Sequence, residues 1–217
     1  MSTLELIYWL LKIILFVITI CVGEVSNLYC LIKPPPESAR IEELRGSGEV
    51  VFIPVGRFPI APLELYAQFF QETYGLTITI LPPLPLPLSA FDPDRGQYIA
   101  EKMLGEIKSQ VAVANTNTPL IPIIFTDQDM YIQKYNWQYA FSLRENGMAV
   151  VSSARMGFSL NPFSEADQKT QEGRIRKMVT KNIGILYYHL PFSDHCRSAM
   201  YGRVGGPQEL DLMSDHL

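Results

Sequence analysis

Residues 174–191 constrain the fold of this chain more than any other segment. Their apolar side chains recur at steps of three and four, which predicts a helix with one buried face; they are Ile175, Met178, Val179, Ile183, Leu186 and Leu190. Pro191 has no amide hydrogen and is predicted to end the helix. The basic residues Arg174, Arg176, Lys177 and Lys181 are interpreted as its solvated side, in preference to an anion-binding site.

Length and charge limit the classes of function. The 217 residues suffice for one well-packed domain plus an appendage. A net charge of −4 without a clustered basic surface argues against nucleic acid as a partner. The number and spacing of the three cysteines, Cys21, Cys30 and Cys196, predict neither a disulfide framework nor a paired-cysteine zinc signature. The sequence contains neither a phosphate loop nor a dinucleotide fingerprint, so no small-molecule substrate is predicted.

The amino-terminal residues favour a membrane anchor. Residues 6–23 are apolar apart from Lys12 and one threonine, and as a helix they would span about 27 Å, close to the thickness of a bilayer core. A cleaved signal peptide is the alternative, but no small-residue cleavage site directly follows the apolar run. Because Lys33, Arg40 and Arg45 follow it, we predict a single-pass membrane protein with a cytoplasmic globular domain.

The chain divides into three predicted parts. Residues 1–33 form the transmembrane anchor, residues 34–48 a proline-containing linker, and residues 49–217 the globular domain. In this domain, strands are predicted at 50–55, 76–80, 120–125, 139–143 and 148–152, with helices starting at Pro62 and Asp92 before the one at 174. Their alternation predicts an α/β fold with a mixed sheet.

Two carboxylates follow the strand at 120–125. Asp127 and Asp129 form a pair that can bind a cation or act in acid/base chemistry. The alternative, which we favour, is that they cap a turn through bonds to backbone amides. A hydrolase that uses Asp127, Asp129 and His195 therefore stays an alternative hypothesis, although the sequence has no nucleophile elbow.

Four segments of the chain carry a resemblance to a known family. They are Val-Phe-Ile-Pro-Val at 51–55, Leu-Ile-Pro-Ile-Ile-Phe-Thr-Asp-Gln-Asp-Met-Tyr at 120–131, Tyr-Ala-Phe-Ser at 139–142 and Met-Ala-Val-Val-Ser-Ser-Ala-Arg at 148–155. In this order they resemble the archaemetzincins, zinc-dependent metallopeptidases of the metzincin clan. The resemblance covers about residues 50–200 and implies a metzincin-like mixed sheet packed with helices. It further implies a His-Glu-x-x-His-x-x-Gly-x-x-His stretch on the helix after the last strand, a cysteine-bound structural zinc, and a methionine turn that Met200 can match.

The matched helix departs from that motif at each functional position. The three ligand positions fall on Lys181, Ile185 and Pro191, the glutamate on Asn182 and the glycine on Tyr188. None of these side chains can bind zinc or activate a water molecule in the usual way. The resemblance therefore leads to the prediction of no catalytic residue, no metal site and no cofactor.

Another group of residues is weighed as a rebuilt metal site. His189, His195 and Cys196 carry side chains that bind zinc, but they lie on both sides of Pro191, so the chain would have to fold back sharply to bring them together. Hydrogen bonding to the backbone, or exposure to solvent, is the alternative that we favour for them.

These observations predict a non-catalytic, membrane-anchored pseudoprotease. We expect it to be an accessory or structural subunit of a larger integral membrane protein complex, of the respiratory or photosynthetic type, that it joins through its amino-terminal helix. Two alternatives stay open, a membrane-anchored peptidase and a peptide-binding module with a non-standard site. The peptide-binding alternative predicts an exposed sheet edge beside the long helix.

Overall fold

The structure, a computed structural model, describes residues 41–111, 119–157 and 165–217. Its strands are β1 (Glu49–Pro54), β2 (Thr79–Ile80), β3 (Phe91–Asp92), β4 (Gln97–Ile99), β5 (Leu120–Thr126), β6 (Met130–Tyr131), β7 (Ser142–Glu145) and β8 (Met148–Ser152). The α-helices are α1 (Ala61–Tyr74), α2 (Ala100–Val111), α3 (Glu165–Leu186) and α4 (Pro207–Leu212), and short 3-10 helices span Ile41–Glu43, Leu88–Ala90 and Gln133–Tyr135.

A five-stranded sheet in the order β2-β1-β5-β8-β7 organises the fold. Neighbouring strands are parallel except at the edge, where β7 runs antiparallel to β8. A second sheet of three short strands has the order β3-β4-β6. The prediction of an α/β fold with a mixed sheet is therefore confirmed.

Both faces of the large sheet are covered, as the alternation along β1 shows. Val50 and Phe52 belong to the apolar core that includes residues of α1 and α3. Val51 and Ile53 belong to a second core, which includes residues of α2. Because successive side chains of a strand point to opposite faces, the run of apolar residues in β1 serves both layers. This arrangement places α3 on one face of the sheet and α2 on the other.

The segment before α2 differs from the sequence prediction. We expected a turn and the start of a helix at residues 92–97, but β3 and β4 form an antiparallel pair there and α2 begins at Ala100. The turn between the two strands contains Gly96, which has a φ of 64°. A left-handed residue inside this short segment is incompatible with a continuous helix, and the chain instead pairs β4 with β6.

The basic cluster of α3 is not a solvated face. The Arg174 and Lys181 residues are 2% and 3% exposed. Arg176 forms an ion pair with Asp215. The Lys177 ammonium donates to two carbonyl oxygens of α4, those of Leu210 and Asp211. The carboxy-terminal residues thus pack on the side of the helix that we expected to face water.

The end of α3 comes earlier than its apolar pattern predicts. The regular helix stops at Leu186, and His189 adopts a left-handed φ of 56°. The amide of Leu190 then donates to the carbonyl of Gly184 at 2.8 Å, which closes the helix end. Pro191 follows this reversal and does not cause it.

The predicted membrane anchor at residues 1–33 lies outside the described residues, together with residues 34–40 of the predicted linker at 34–48. Within 41–111, 119–157 and 165–217, none of the helices has both the length and the apolar character that a membrane span requires. The division into anchor, linker and domain therefore stays a prediction.

Candidate functional site

A cavity of about 690 Å³ lies between the edge of the large sheet and α3. One wall is residues 137–142 and Arg144, which lead into β7 and include two of its residues. The opposite wall comprises residues 201–205 and Glu209, and α3 contributes Met178 and Lys181. The Tyr139 hydroxyl donates to the carbonyl of Gly205 at 2.7 Å, a bond that joins the two walls.

The outer edge of β7 presents backbone groups to this cavity. The β7–β8 hairpin turns through Asn146 and Gly147, which have φ values of 54° and 77°, as a two-residue type I′ turn requires. In such a hairpin Glu145 and Leu143 bond to β8, so the N–H and C=O groups of Ser142 and Arg144 point outward. Among the described residues, no backbone group bonds to these outward groups.

Lys181 reaches the cavity from α3. Its ammonium donates to the carbonyl of Tyr201, on the opposite wall. Burial, and then the charge of Arg144, lower the pKa of Lys181 to about 8. The charged form of Lys181 at pH 7 is therefore less favourable in the folded protein than in water, and a rise of about one pH unit makes half of the lysine neutral.

Arg144 reaches the same place from β7. Its Nη1 donates to Oδ1 of Asn182 at 2.7 Å, and Nδ2 of Asn182 donates to the Ser142 hydroxyl at 3.1 Å. Burial lowers the pKa of Arg144. The fully buried amide of Asn182 thus fixes the guanidinium beside the free edge of the sheet.

An exposed aromatic ring lies over both cations. The ring centroid of Phe192 is 5.5 Å from the ammonium nitrogen of Lys181 and 5.7 Å from Cζ of Arg144. Both distances are within the range of a cation–π interaction. We call Lys181, Arg144 and Phe192 the cationic site.

The residues of this region do not fit a zinc ion. The first ligand position of the resembled motif is an ammonium, and its neighbour Asn182 bonds to a guanidinium, so two positive charges lie where a dication would be bound. The other two ligand positions, Ile185 and Pro191, have no donor atom. Within the described ranges, no three His, Cys, Asp or Glu side chains are grouped as metal ligands.

The alternative hydrolytic residues do not form a site either. Both oxygens of Asp129 accept from the guanidinium of Arg155, at 2.9 and 2.6 Å, and Oδ2 also accepts from Gln97. Asp127 is exposed and bonds to the neighbouring Gln128 side chain. Among the described residues, His195 makes its hydrogen bonds with residues 193, 197 and 198 and none with either aspartate. Among the described residues, both aspartates bond to side chains and neither accepts from a backbone amide, so the turn-capping role that we favoured is not observed.

The other candidate ligands have separate surroundings. Nε2 of His189 lies 2.9 Å from the Ser47 hydroxyl, whereas Nδ1 of His195 accepts from the amide of Arg197 at 3.2 Å. Nε2 of His195 is buried without a hydrogen-bond partner among the described residues. Cys196 is buried. The structure does not bring the three side chains into one metal site.

Sequence reasoning did not identify Arg144, Ser142 and Phe192 as residues of the site. It also predicted that Lys181 faces solvent, whereas the residue is buried. A signal for Lys181 was present, because it lies three residues after Met178 and four before Ile185, on the apolar side of the helix. Arg144 carried a weaker signal, a charge on the same strand face as Ser142. Nothing local relates Phe192 to either cation, since its position depends on the reversal at His189.

Replacing Lys181 by Met is expected to raise the free energy of unfolding by about 1–2 kcal/mol at pH 7. A folded-state pKa of about 8 in place of the ordinary 10.5 makes the charged lysine unfavourable by about 3 kcal/mol. Loss of the hydrogen bond to Tyr201 offsets part of this gain. Urea unfolding measures the difference, with the exposed Lys108→Met as the control.

The same variant has an expected pH dependence. Between pH 8 and 10.5 the unfolded chain binds more protons at Lys181 than the folded one, so the stability of the wild type rises with pH in this window. The advantage of Lys181→Met at pH 7 should therefore disappear by about pH 10. A variant that is less stable than the wild type at pH 7 would contradict this account of the cationic site.

Relatives of known name match most of the chain. It is 27% identical over 172 residues to the archaemetzincin of Natronomonas pharaonis, a match that covers 77% of this chain and 94% of that protein. The archaemetzincin of Haloquadratum walsbyi is 24% identical over the same shares of the two chains. No protein-family model matches.

Solved structures share the fold. A zinc-dependent peptidase from Methanocorpusculum labreanum superposes with a TM-score of 0.63 at 22% identity. An archaemetzincin from Archaeoglobus fulgidus, complexed with malonate, superposes with a TM-score of 0.58 at 16% identity. Each match covers 77% of this chain and 94% of the other.

These comparisons correct several predictions. The relatives and structural neighbours are named archaemetzincin or zinc-dependent peptidase, which contradicts the prediction that the chain is not an enzyme. The same names contradict the prediction of a non-catalytic accessory subunit of a respiratory or photosynthetic complex. They also contradict the single-pass membrane localisation with a cytoplasmic domain, for which the described helices provide no membrane span.

Proposed function

We propose that this chain, which is archaemetzincin-like in sequence and fold, binds an extended peptide segment along the free edge of β7. The observation that carries the proposal is the cavity beside β7, where outward N–H and C=O groups of Ser142 and Arg144 stand next to a cationic site. An added strand satisfies such groups with its own backbone. The relatives' names, which indicate action on peptides, support the same class of ligand.

The chain's own residues have distinct roles in this function. The outward backbone groups of β7 align the peptide. The bridge between Tyr139 and Gly205 fixes the separation of the cavity walls. Asn182 holds Arg144 in place, so that its guanidinium and the Lys181 ammonium set the charge of the ligand group that binds beside them.

Peptide hydrolysis is a second candidate function, which one observation favours. Because burial lowers the pKa of Lys181 to about 8, part of the population holds a neutral amine able to accept a proton near neutral pH. The relatives that are named peptidases support measuring this activity. Turnover of peptides that is lost in Lys181→Met and kept in Lys108→Met would establish it.

Hydrogen–deuterium exchange with a pool of unstructured peptides tests the binding function. We expect bound peptide to slow the exchange of the Ser142 and Arg144 amides at least tenfold, since both point to the free edge. The amides of β2, at the opposite edge of the sheet, serve as the control and should not change. Protection confined to another surface, or no binding by any peptide, would overturn the proposal.

A further inference from the structure

From the unsatisfied donors of the cationic site we infer that Lys181 and Arg144 bind the C-terminal carboxylate of the peptide, an assignment that rests on the proposed peptide-binding function. Lys181 has three N–H donors, of which one bonds to Tyr201. Arg144 has five, and among the described residues its one acceptor is the Asn182 side chain. The remaining guanidinium nitrogens of Arg144 are accessible to solvent. The side chains of Lys181 and Arg144 both line the cavity.

The charge balance favours an anion at this position. Within the described part of the chain, neither Lys181 nor Arg144 has a carboxylate at ion-pair distance. The two cations instead repel each other, as the lowering effect of Arg144 on the lysine pKa shows. A carboxylate that accepts from both removes this repulsion, and the Phe192 ring shields it from water.

The position of the cationic site along the groove selects a chain terminus. The cavity follows residues 137–142 and Arg144, and its lining includes none of residues 145–148. At this end the strand edge stops, because the backbone turns at Asn146 and Gly147. A peptide that pairs with β7 and ends at Arg144 with its carboxylate runs parallel to β7. Its upstream residues then lie toward Trp137, a half-exposed indole on the cavity wall.

Fluorescence anisotropy of hexapeptides labelled at the amino terminus tests this inference with the full-length protein. Each sequence is made with a free C-terminal carboxylate and as the C-terminal amide, which differs in charge and little in shape. We expect the acid to bind at least tenfold more tightly than the amide to the wild type and to the Lys108→Met control. In Lys181→Met and in Arg144→Gln the ratio should fall to within twofold.

The outcomes separate this inference from the proposed function. Equal binding of acid and amide, with the β7 amides protected, would overturn the carboxylate assignment and leave the peptide-binding function standing. Binding of neither would overturn both. Malonate, added as a small dicarboxylate, tests the other source of the same chemistry, and competition that is equally strong against the amide peptides would show a site for small anions.

The pH dependence supplies a further measurement. The preference for the acid should fall as the pH rises from 7 to 9, because Lys181 loses its charge over this range. Glu209, Tyr201 and Arg203 also line the cavity. The variant Lys181→Met keeps all three, so a pH-independent ratio in that variant assigns the effect to the lysine. The same slope in the wild type and in the variant would contradict the assignment.

Discussion

Replacing Asp211 by Asn is expected to lower the free energy of unfolding by about 3 kcal/mol. Asp211 accepts two hydrogen bonds from the guanidinium of Arg174, at 2.8 and 2.6 Å, and the arginine side chain is 2% exposed. The substitution keeps the shape of the side chain but removes the negative charge that faces the buried guanidinium, which is more costly than the loss of an exposed ion pair. Chemical denaturation measures the change.

A double-mutant cycle separates this pair from general packing. Arg174→Met removes the cation as well as its bond to the Met156 carbonyl, and the combined variant should recover at least about 1 kcal/mol relative to the sum of the single changes. Asp127→Asn alters an exposed carboxylate and should stay within about 0.5 kcal/mol of the wild type. An Asp211→Asn protein with wild-type stability would show that α4 is not held to α3 through this pair.

The elements that were predicted well have local causes. The β7–β8 hairpin follows from Asn146-Gly147 between two apolar runs, since this dipeptide accepts the positive φ values of the turn. The end of α1 follows from Gly75, which adopts a left-handed φ of 66°. In both cases the information lies within a few residues of the feature, so the sequence alone is sufficient.

The features that were not predicted depend on distant contacts. Arg174 is buried because Asp211, 37 residues later, returns to meet it. The pairing of β4 with β6 likewise joins residues about thirty positions apart. Periodicity within one helix cannot indicate that another segment will cover its polar side, and a basic cluster on an amphipathic helix therefore resembles a solvated face.

The candidate site was predicted in part. The resemblance placed the important turn of α3 at Lys181 and Asn182, and the structure shows that both line or support the cavity region. It did not indicate what replaces the expected ligands, because the partners of these residues come from other elements, Arg144 from β7 and Tyr201 from the carboxy-terminal segment. The cationic character of the site is therefore a property of the fold as a whole.

Replacing Phe125 by Ala is expected to cost about 4 kcal/mol, the largest effect that we predict. Phe125 is fully buried in β5, at the centre of the large sheet. Its ring centroid lies 5.0 Å from that of Phe52 and 5.5 Å from that of Phe58. Loss of the ring removes its apolar burial and leaves a cavity that the surrounding strands cannot close, whereas an exposed phenylalanine has little burial to lose.

Phe192→Ala is the matched control for this prediction, because 59% of the Phe192 residue is exposed. We expect it to cost less than about 1 kcal/mol, mainly through the loss of the cation–π contacts. The two proteins, unfolded in urea under the same conditions, should thus differ by about 3 kcal/mol. Similar stabilities would mean that β5 is not the packing centre of the sheet, and the positions of β7 and of the cationic site would then lose the support on which they depend.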